Sequence, residues 1–161
     1  MTIAPWRSIR LGSAARAARA ALPSLIERQG AIVNVSSTLA HQPAGSPASY
    51  GAVKAAVTTL GKSLAEEFGP RGVRVNTVSP GMVNTTVYRD PNGPLGQFAA
   101  ASGMALEDFV AQILQAQRVT TGRMTEPEEV AAMVAYLCSP LASSTTGAAV
   151  RVDGGVVRSI V

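Results

Sequence analysis

Short apolar runs alternate along the chain with longer segments in which apolar residues recur every three or four positions. An apolar run without alternation is typical of a strand that is buried on both faces. The runs of this kind are residues 31–35, 73–78 and 148–152. The longer periodicity is that of amphipathic helices. It predicts helices at residues 8–28, 49–68 and 105–117, and a further one that runs to about Cys138.

Proline, glycine and capping residues mark the breaks between these segments. Thr125-x-x-Glu128 is a capping-box pattern, which predicts the start of the last helix with Pro127 in its first turn. Segment 82–103 is predicted to be a loop, because two prolines and two glycines fall between positions 91 and 96. Pro23 is expected to tighten or end the first helix.

The alternation of helices and strands predicts an α/β fold. Right-handed crossovers between successive strands would give a parallel sheet of about three strands with helices on both faces. The length of 161 residues fits one domain, and no linker or internal repeat divides residues 1–161.

Composition and charge exclude several classes of protein. Charged residues make up only 15% of the chain, and no apolar run is long enough to span a membrane. The single cysteine fits a reducing compartment, so we expect a cytoplasmic protein. No cluster of basic and aromatic residues predicts binding to nucleic acid.

The start of the chain is rich in arginine, with four arginines before the first acidic residue, Glu27. The favoured interpretation is the solvated face of a first helix. A transit peptide or a site for an anionic partner is the alternative.

One group of polar residues suits a specific chemistry. Ser36 and Ser37 end the first apolar run, and Tyr50 and Lys54 follow at a spacing that places both side chains on one face of a helix. A nearby cation favours the ionised form of a tyrosine, and a serine hydroxyl can stabilise charge that develops on a carbonyl oxygen. These residue types suit reversible proton transfer to a carbonyl while a cofactor delivers hydride.

Other roles for the polar residues are less favoured. Ser37, His41 and Asp153 have the residue types of a hydrolase triad, but no G-x-S-x-G sequence surrounds the serine. One histidine and one cysteine cannot form a structural zinc site, so no metal site is predicted. We interpret Ser36 as a strand-end hydrogen-bond former and Asn76 as a residue that satisfies backbone groups near a turn. His41 is interpreted as a loop residue in preference to a substrate contact, and Asp153 as the cap of the turn after it.

Several motifs occur in order along the chain: Ile32–Ser37, Tyr50-x-x-x-Lys54, Asn76-x-x-x-Pro80-Gly81-x-x-x-Thr85 and Val152-Asp153-Gly154-Gly155. At this spacing they resemble the short-chain dehydrogenase/reductase family, over roughly residues 8–156. The resemblance implies a partial Rossmann-like, doubly wound sheet, an NAD or NADP cofactor, and a small-molecule carbonyl or alcohol as substrate. It also implies a homo-oligomer, a dimer or tetramer, in which helices 8–28 and 49–68 build the subunit interface.

The resemblance implies a role for each matching residue. Tyr50 takes the position of the family's proton donor, and Lys54 that of the lysine which also holds the cofactor ribose. Ser37, thirteen residues before the tyrosine, takes the position of the serine that orients the substrate oxygen. Segment 86–120, with Phe109 and Ile113 on one face, corresponds to a substrate lid. The stretch that lies along the nicotinamide is matched by Pro80, Gly81 and the backbone near Val83. Thr85 matches the hydroxyl that contacts the cofactor's carboxamide or phosphate region.

The chain also departs from the family pattern. No G-x-x-x-G-x-G or G-x-G-x-x-G motif occurs, and residue 1 corresponds to the family's fourth helix. Ile9 stands where the family commonly has the asparagine of its catalytic tetrad. The unmatched start, Met1–Ser8, predicts an internal start, a frameshift or a truncated gene product. We therefore expect a truncated domain with impaired cofactor binding and with an apolar sheet edge at strand 31–35.

These departures leave an alternative function open, that of a catalytically inactive remnant which acts only through subunit association. The substrate, the reaction direction and the choice between NAD and NADP are not specified, because the residues that decide them are unmatched or lie in the variable lid.

Overall fold

A computed structural model describes residues 11–42 and 48–160. At its centre is a parallel sheet with the strand order β1–β2–β3, in which Ile32 pairs with Val75 and Val78 with Val150. The strands are β1 (Ala31–Val35), β2 (Arg74–Pro80) and β3 (Ala149–Val152). The predicted three-stranded parallel sheet is therefore confirmed. Ile9 and the start Met1–Ser8 lie outside the described residues.

The helices of the described residues precede, connect and follow these strands. They are α1 (Leu11–Arg28), α2 (Ala48–Phe68), α3 (Thr86–Arg89), α4 (Pro94–Ala101), α5 (Leu106–Ala116) and α6 (Pro127–Cys138). Single 3₁₀ turns lie at Thr38–Ala40, Gly69–Arg71 and Pro140–Ala142. Pro23 is inside α1 and does not end it, since the helix continues to Arg28.

The helices cover both faces of the sheet. Successive side chains of a strand point to opposite faces. Ile32 and Val75 pack in one cluster with residues of α1 and α2, whereas Val33 and Val78 pack in another with residues of α6. Val75 and Val78 are fully buried. Burial of a valine side chain stabilises a fold by about 1.5–3 kcal/mol. The predicted arrangement of helices on both faces is confirmed.

Strand β1 lies at the edge of the described sheet, with β2 as its only neighbour there. Its side chains are only partly buried, and Val35 is 50% exposed. The apolar run predicted a strand that is buried on both faces, which the structure does not show. The expectation of an apolar sheet edge at residues 31–35 is confirmed.

The prediction of a loop over residues 82–103 was wrong for two segments, α3 and α4. Pro94 occupies the first turn of α4, where the missing N–H of a proline removes no helical hydrogen bond. Gly96 is buried inside α4, and a Cβ on it would overlap the backbone carbonyl of Pro91. These residues were interpreted as breakers, but they permit a short helix to form and to pack closely on the preceding turn.

The capping box is shifted by one residue from its predicted position at Thr125 and Glu128. Helix α6 has Glu126 at its N-cap, and a carboxylate oxygen of Glu129 accepts the Glu126 N–H at 2.7 Å. Thr125 cannot be the cap, because its backbone forms an isolated parallel bridge with Val83. This bridge ties the start of α6 to the segment that follows β2.

Candidate active site at the strand ends

Two serines follow β1 at the edge where β2 also ends. Val35 pairs with Val78, and the Ser36 N–H donates to the Val78 carbonyl at 2.7 Å. The carboxyl ends of parallel strands meet at the same edge of a sheet, which is where ligands bind in open α/β folds. Ser37 and the Pro80 end of β2 are therefore brought to one side of the sheet.

The two adjacent serines differ in what their hydroxyls contact. Ser36 Oγ donates to the Lys54 carbonyl at 2.8 Å and is contacted by the Thr58 hydroxyl at 2.9 Å. These bonds confirm that Ser36 is a strand-end hydrogen-bond former. Ser37 Oγ accepts the Leu39 N–H at 3.2 Å and caps the 3₁₀ turn. This bond uses one lone pair of the Ser37 hydroxyl, which retains its O–H as a donor.

Tyr50 and Lys54 lie in the first turns of α2, on one face of the helix. The Lys54 ammonium is 5.7 Å from the centroid of the Tyr50 ring. Lys54 Nζ donates to the Val35 carbonyl at 2.9 Å, so this side chain reaches the end of β1. Tyr50 is 46% exposed, which leaves its phenol accessible. Tyr50 and Lys54 therefore lie one helical turn apart on the same face of α2, as the sequence predicted.

The segment after β2 is fixed by the backbone of neighbouring elements. The Gly81 N–H donates to the Val152 carbonyl at 3.0 Å, and a Cβ on Gly81 would lie 2.9 Å from the Asp153 Cα. Any side chain at position 81 would therefore push β2 and β3 apart. The Thr85 N–H donates to the Val83 carbonyl at 2.8 Å, and Thr85 is the N-cap residue of α3.

His41 makes a contact that the sequence did not indicate. Its Nε2 lies 3.1 Å from Ser79 Oγ, which is fully buried at the end of β2. His41 ends the 3₁₀ turn after Ser37, so this contact joins the turn to β2. The two residues are 38 positions apart. No pattern of neighbouring residues could therefore have predicted this contact between His41 and Ser79.

Two other polar residues have the roles expected of them. Asn76 Nδ2 donates to the Thr145 carbonyl at 2.8 Å, and its Oδ1 accepts the Ala148 N–H at 3.1 Å. The Asp153 carboxylate accepts the N–H groups of Gly155 and Val157, each at 3.0 Å. Both side chains satisfy backbone groups beside turns, which confirms these interpretations.

Tyr88 of α3 lies near the exposed Tyr50 phenol. Burial raises the pKa of Tyr88 above its usual value, and the nearby Tyr50 raises it further. Tyr88 also lines a cavity of about 340 Å³ between α3 and α5. On α5 the lining side chains are Leu106, Glu107, Val110, Ala111 and Leu114. The predicted Phe109 and Ile113 face is not among them.

An exposed ion pair fixes the start of α6. The two oxygens of Glu129 accept two N–H groups of Arg123, at 2.8 and 2.9 Å. The hydrogen bonds from Arg123 and from the Glu126 backbone lower the pKa of Glu129 from 4.5 to about 2. The same pair raises the pKa of Arg123. Glu129 is therefore ionised at neutral pH.

Comparison with known sequences identifies the family. The profile of the enoyl-(acyl carrier protein) reductase family matches residues 5–157. The 3-oxoacyl-(acyl-carrier-protein) reductase of Vibrio cholerae is 37% identical over 155 residues, which cover 94% of this chain and 57% of the relative. The chain belongs to the short-chain dehydrogenase/reductase family of oxidoreductases.

Solved structures have the same fold. An NADPH-bound short-chain oxidoreductase from Pseudomonas aeruginosa with an atypical catalytic center matches with a TM-score of 0.75 and 36% identity, over 88% of this chain and 52% of that chain. L-sorbose reductase from Gluconobacter frateurii, complexed with NADPH and L-sorbose, matches with a TM-score of 0.84 and 29% identity, over 91% and 55%. The partial Rossmann-like sheet is therefore the sheet of this family.

The chain spans about half the length of the curated relatives that it matches. None of the helices described between residues 11 and 160 has the length and hydropathy that a membrane crossing requires. In the same part of the chain, no three His, Cys, Asp or Glu side chains cluster as metal ligands would.

Proposed function

We propose that this chain carries the proton-transfer half of an NAD(P)-dependent oxidoreductase that interconverts a carbonyl and a secondary alcohol. The observation that supports it best is the Lys54 ammonium, 5.7 Å from the Tyr50 ring and bonded to the end of β1. That position lies beside Ser37, which follows the same strand. A phenol, a cation and a hydroxyl thus lie near the end of β1, which supports the proposal.

Each residue has a distinct part in the reaction. Tyr50 Oη donates its proton to the carbonyl oxygen in reduction and accepts it from the alcohol in oxidation. The Lys54 ammonium stabilises the negative charge that Tyr50 acquires when it loses this proton. The Ser37 hydroxyl donates to the substrate oxygen and stabilises the charge that develops there. A nicotinamide cofactor, when bound, supplies or accepts the hydride.

The residues present suit the nicotinamide half of such a cofactor. Tyr50, Lys54 and the Thr85 hydroxyl are donors that match ribose and carboxamide groups. Gly81 and Val83 would contact the ring, together with Pro80, by resemblance to the family. The Gly-rich sequence that binds the pyrophosphate at a helix N-terminus does not occur in the chain. The chain by itself therefore binds NAD(H) or NADP(H) weakly.

The weak cofactor affinity is tested by calorimetry. Titration of the chain with NADPH and, separately, with NADH is expected to give dissociation constants of about 0.1 mM or weaker, because the pyrophosphate contacts are missing. Tight binding of either cofactor would contradict the expected impairment and would leave the assignment of Tyr50 untouched.

The substrate side of the site is the cavity between α3 and α5. Its wall combines the Tyr88 phenol and the charged side chains of Arg89 and Glu107 with apolar side chains of α5 and with Met124. A volume of about 340 Å³ suits a small molecule. A small carbonyl compound is therefore the substrate class that we propose, with segment 86–120 as the lid.

The function is tested by exchanging the two adjacent serines. Carbonyl-dependent oxidation of NADPH and NADH is measured for the parent chain, Ser37→Ala and Ser36→Ala. Loss of the Ser37 donor is expected to lower kcat/KM by about 10²–10³. Ser36→Ala is the matched control, since it removes a neighbouring hydroxyl that bonds only within the fold. It is expected to lose about 0.5–1.5 kcal/mol of stability and to keep most of the activity.

Equal losses in the two serine variants would contradict the role of Ser37. A parent chain that folds and yet consumes neither cofactor would contradict the proposed function and favour the inactive remnant that associates with other subunits. Subunit association itself stays a prediction, with the exposed faces of α1 and α2 as the expected interface.

A further inference from the structure

A second cavity adjoins the 3₁₀ turn Thr38–Ala40, which Ser37 caps. It has a volume of about 220 Å³, and Thr38 and Leu39 form one of its walls. Ser37 Oγ bonds the Leu39 N–H, so this wall is connected to the candidate catalytic hydroxyl within two residues. The end of α5 and the segment after β3 form the remaining walls. The cavity is therefore next to the candidate site along the chain, at the turn that Ser37 caps.

The charged side chains that line this cavity are arginines. They are Arg118, just after α5, and Arg158, near the end of the described chain, and no acidic residue is among the lining side chains. An Arg158 guanidinium nitrogen donates to the Arg118 carbonyl at 2.6 Å, which holds the two residues together. The ion pairs of residues 11–42 and 48–160 involve other cations. The positive charge at this cavity is thus not neutralised by a carboxylate of the described chain.

Arg118 adopts a backbone conformation that arginine disfavours. Its φ is 50°, in the left-handed region, at the second residue after α5. Glycine is the residue commonly found at such a helix end, because an L side chain is strained there. Strained residues cluster at ligand-binding sites, where the side chain serves a purpose that glycine cannot serve. Gln29 shares this conformation, with a φ of 51°, so the strain supports a function of Arg118 only together with its place in the cavity wall.

We propose that this cavity is an anion subsite, in which Arg118 and Arg158 bind the carboxylate of a small keto acid whose carbonyl lies at Ser37 and Tyr50. The inference rests on the proposed function for the position of the carbonyl. Guanidinium groups bind carboxylates through paired N–H donors, which fixes orientation as well as affinity. Thr38 and Gln42 on the same wall provide further polar contacts.

The subsite is tested by direct binding to the full chain, without cofactor. The probes are levulinate, a stable keto acid, and methyl levulinate, its neutral ester, followed by NMR titration at low ionic strength. Levulinate is expected to bind at least about fivefold more tightly, as one charge pair at a partly exposed site allows. The preference is expected to shrink in high salt, because salt screens exposed charges.

Variants separate a binding role of Arg118 from a structural one. Arg118→Gly is expected to abolish the preference for levulinate and to raise the unfolding midpoint by about 2–4 °C, because the strain is relieved. Arg118→Lys keeps the charge and is expected to keep most of the preference. Gln29→Gly is the matched control, since Gln29 ends α1 with a φ of 51° and does not line the cavity. It relieves the same strain and is expected to leave levulinate binding unchanged.

Each outcome bears on the subsite. Equal affinity for levulinate and its ester, or an unchanged preference in Arg118→Gly, would overturn it. Inorganic phosphate that binds more tightly than levulinate would contradict a keto acid and favour a phosphate group. Hydride transfer is not needed for these titrations. A chain that binds levulinate through Arg118 but shows no Ser37-dependent activity would therefore keep the subsite and lose the proposed reaction.

Discussion

Gly61 is buried in α2 close to the sheet, and its exchange for alanine tests this packing. A Cβ at position 61 would lie 2.5 Å from Thr77 Oγ1 on β2 and 3.1 Å from Asn34 Nδ2 on β1. Ordinary contact begins at 3.4 Å, so Thr77 or the helix must move by 0.9 Å, the difference between 3.4 and 2.5 Å. Thr77 is only 2% exposed and has little room to move.

The change in the free energy of unfolding caused by Gly61→Ala is the difference between a packing cost and a gain in helix propensity. Overpacking of a close-packed core costs about 1–3 kcal/mol. Alanine favours a helix interior over glycine by about 1 kcal/mol. We therefore expect the free energy of unfolding to fall by about 0–2 kcal/mol, with about 1 kcal/mol as the central value. For a chain of this size, 1 kcal/mol corresponds to a decrease of about 2–4 °C in Tm.

Thermal and urea unfolding of a double-mutant cycle measure this effect. Thr77→Ala removes the oxygen that the new methyl group would meet, so Gly61→Ala is expected to be tolerated better in that background. The coupling between the two changes should be about 1 kcal/mol or more. If Gly61→Ala instead stabilises the parent chain by the full helix-propensity gain, with no coupling to Thr77, the close approach of α2 to β2 is wrong.

Two further predictions concern α6 and the lid. The low pKa of Glu129 means that its ion pair stabilises the fold above about pH 4.5 and that this contribution is lost as the pH falls towards 2. In thermal unfolding, the difference between Glu129→Gln and the parent chain should therefore be full at neutral pH and should shrink as the pH falls towards 2. A difference of unchanged size near pH 2 would contradict the assignment. Exchange of Phe109 for Ala is expected to change the substrate preference if the predicted lid face contacts substrate. The comparison variant is Val110→Ala, on the face that lines the cavity. A change of preference in Val110→Ala alone would contradict the predicted face.

The strands and the Tyr50–Lys54 pair were predictable because their signals are local. A buried strand needs only a short apolar run, and a four-residue spacing on a helix fixes which side chains share a face. Neither signal depends on distant residues. The choice of Ser37 over Ser36 came from the family spacing. The structure adds a physical difference, because the Ser36 hydroxyl bonds the Lys54 carbonyl and the Thr58 hydroxyl.

Only one of the misses, that at Thr125, rests on contact over a long sequence separation. Pro94 and Gly96 indicate a loop when read locally, but close packing on Pro91 turns the same residues into a helix start. Threonine is a residue type that commonly caps helices, but the backbone of Thr125 pairs with that of Val83 in a parallel bridge. The positive φ of Arg118 was not predicted either, because no residue pattern indicates that an arginine will adopt the left-handed backbone conformation.

The central claim is that Tyr50, supported by Lys54, transfers the proton at this edge of the sheet. Tyr50→Phe removes only the phenol oxygen from a half-exposed position, so the fold should be retained, which circular dichroism checks. Carbonyl-dependent consumption of NADPH or NADH by Tyr50→Phe is then compared with that of the parent chain. We predict a loss of about 10²-fold or more in kcat/KM. Activity equal to that of the parent chain would contradict the account.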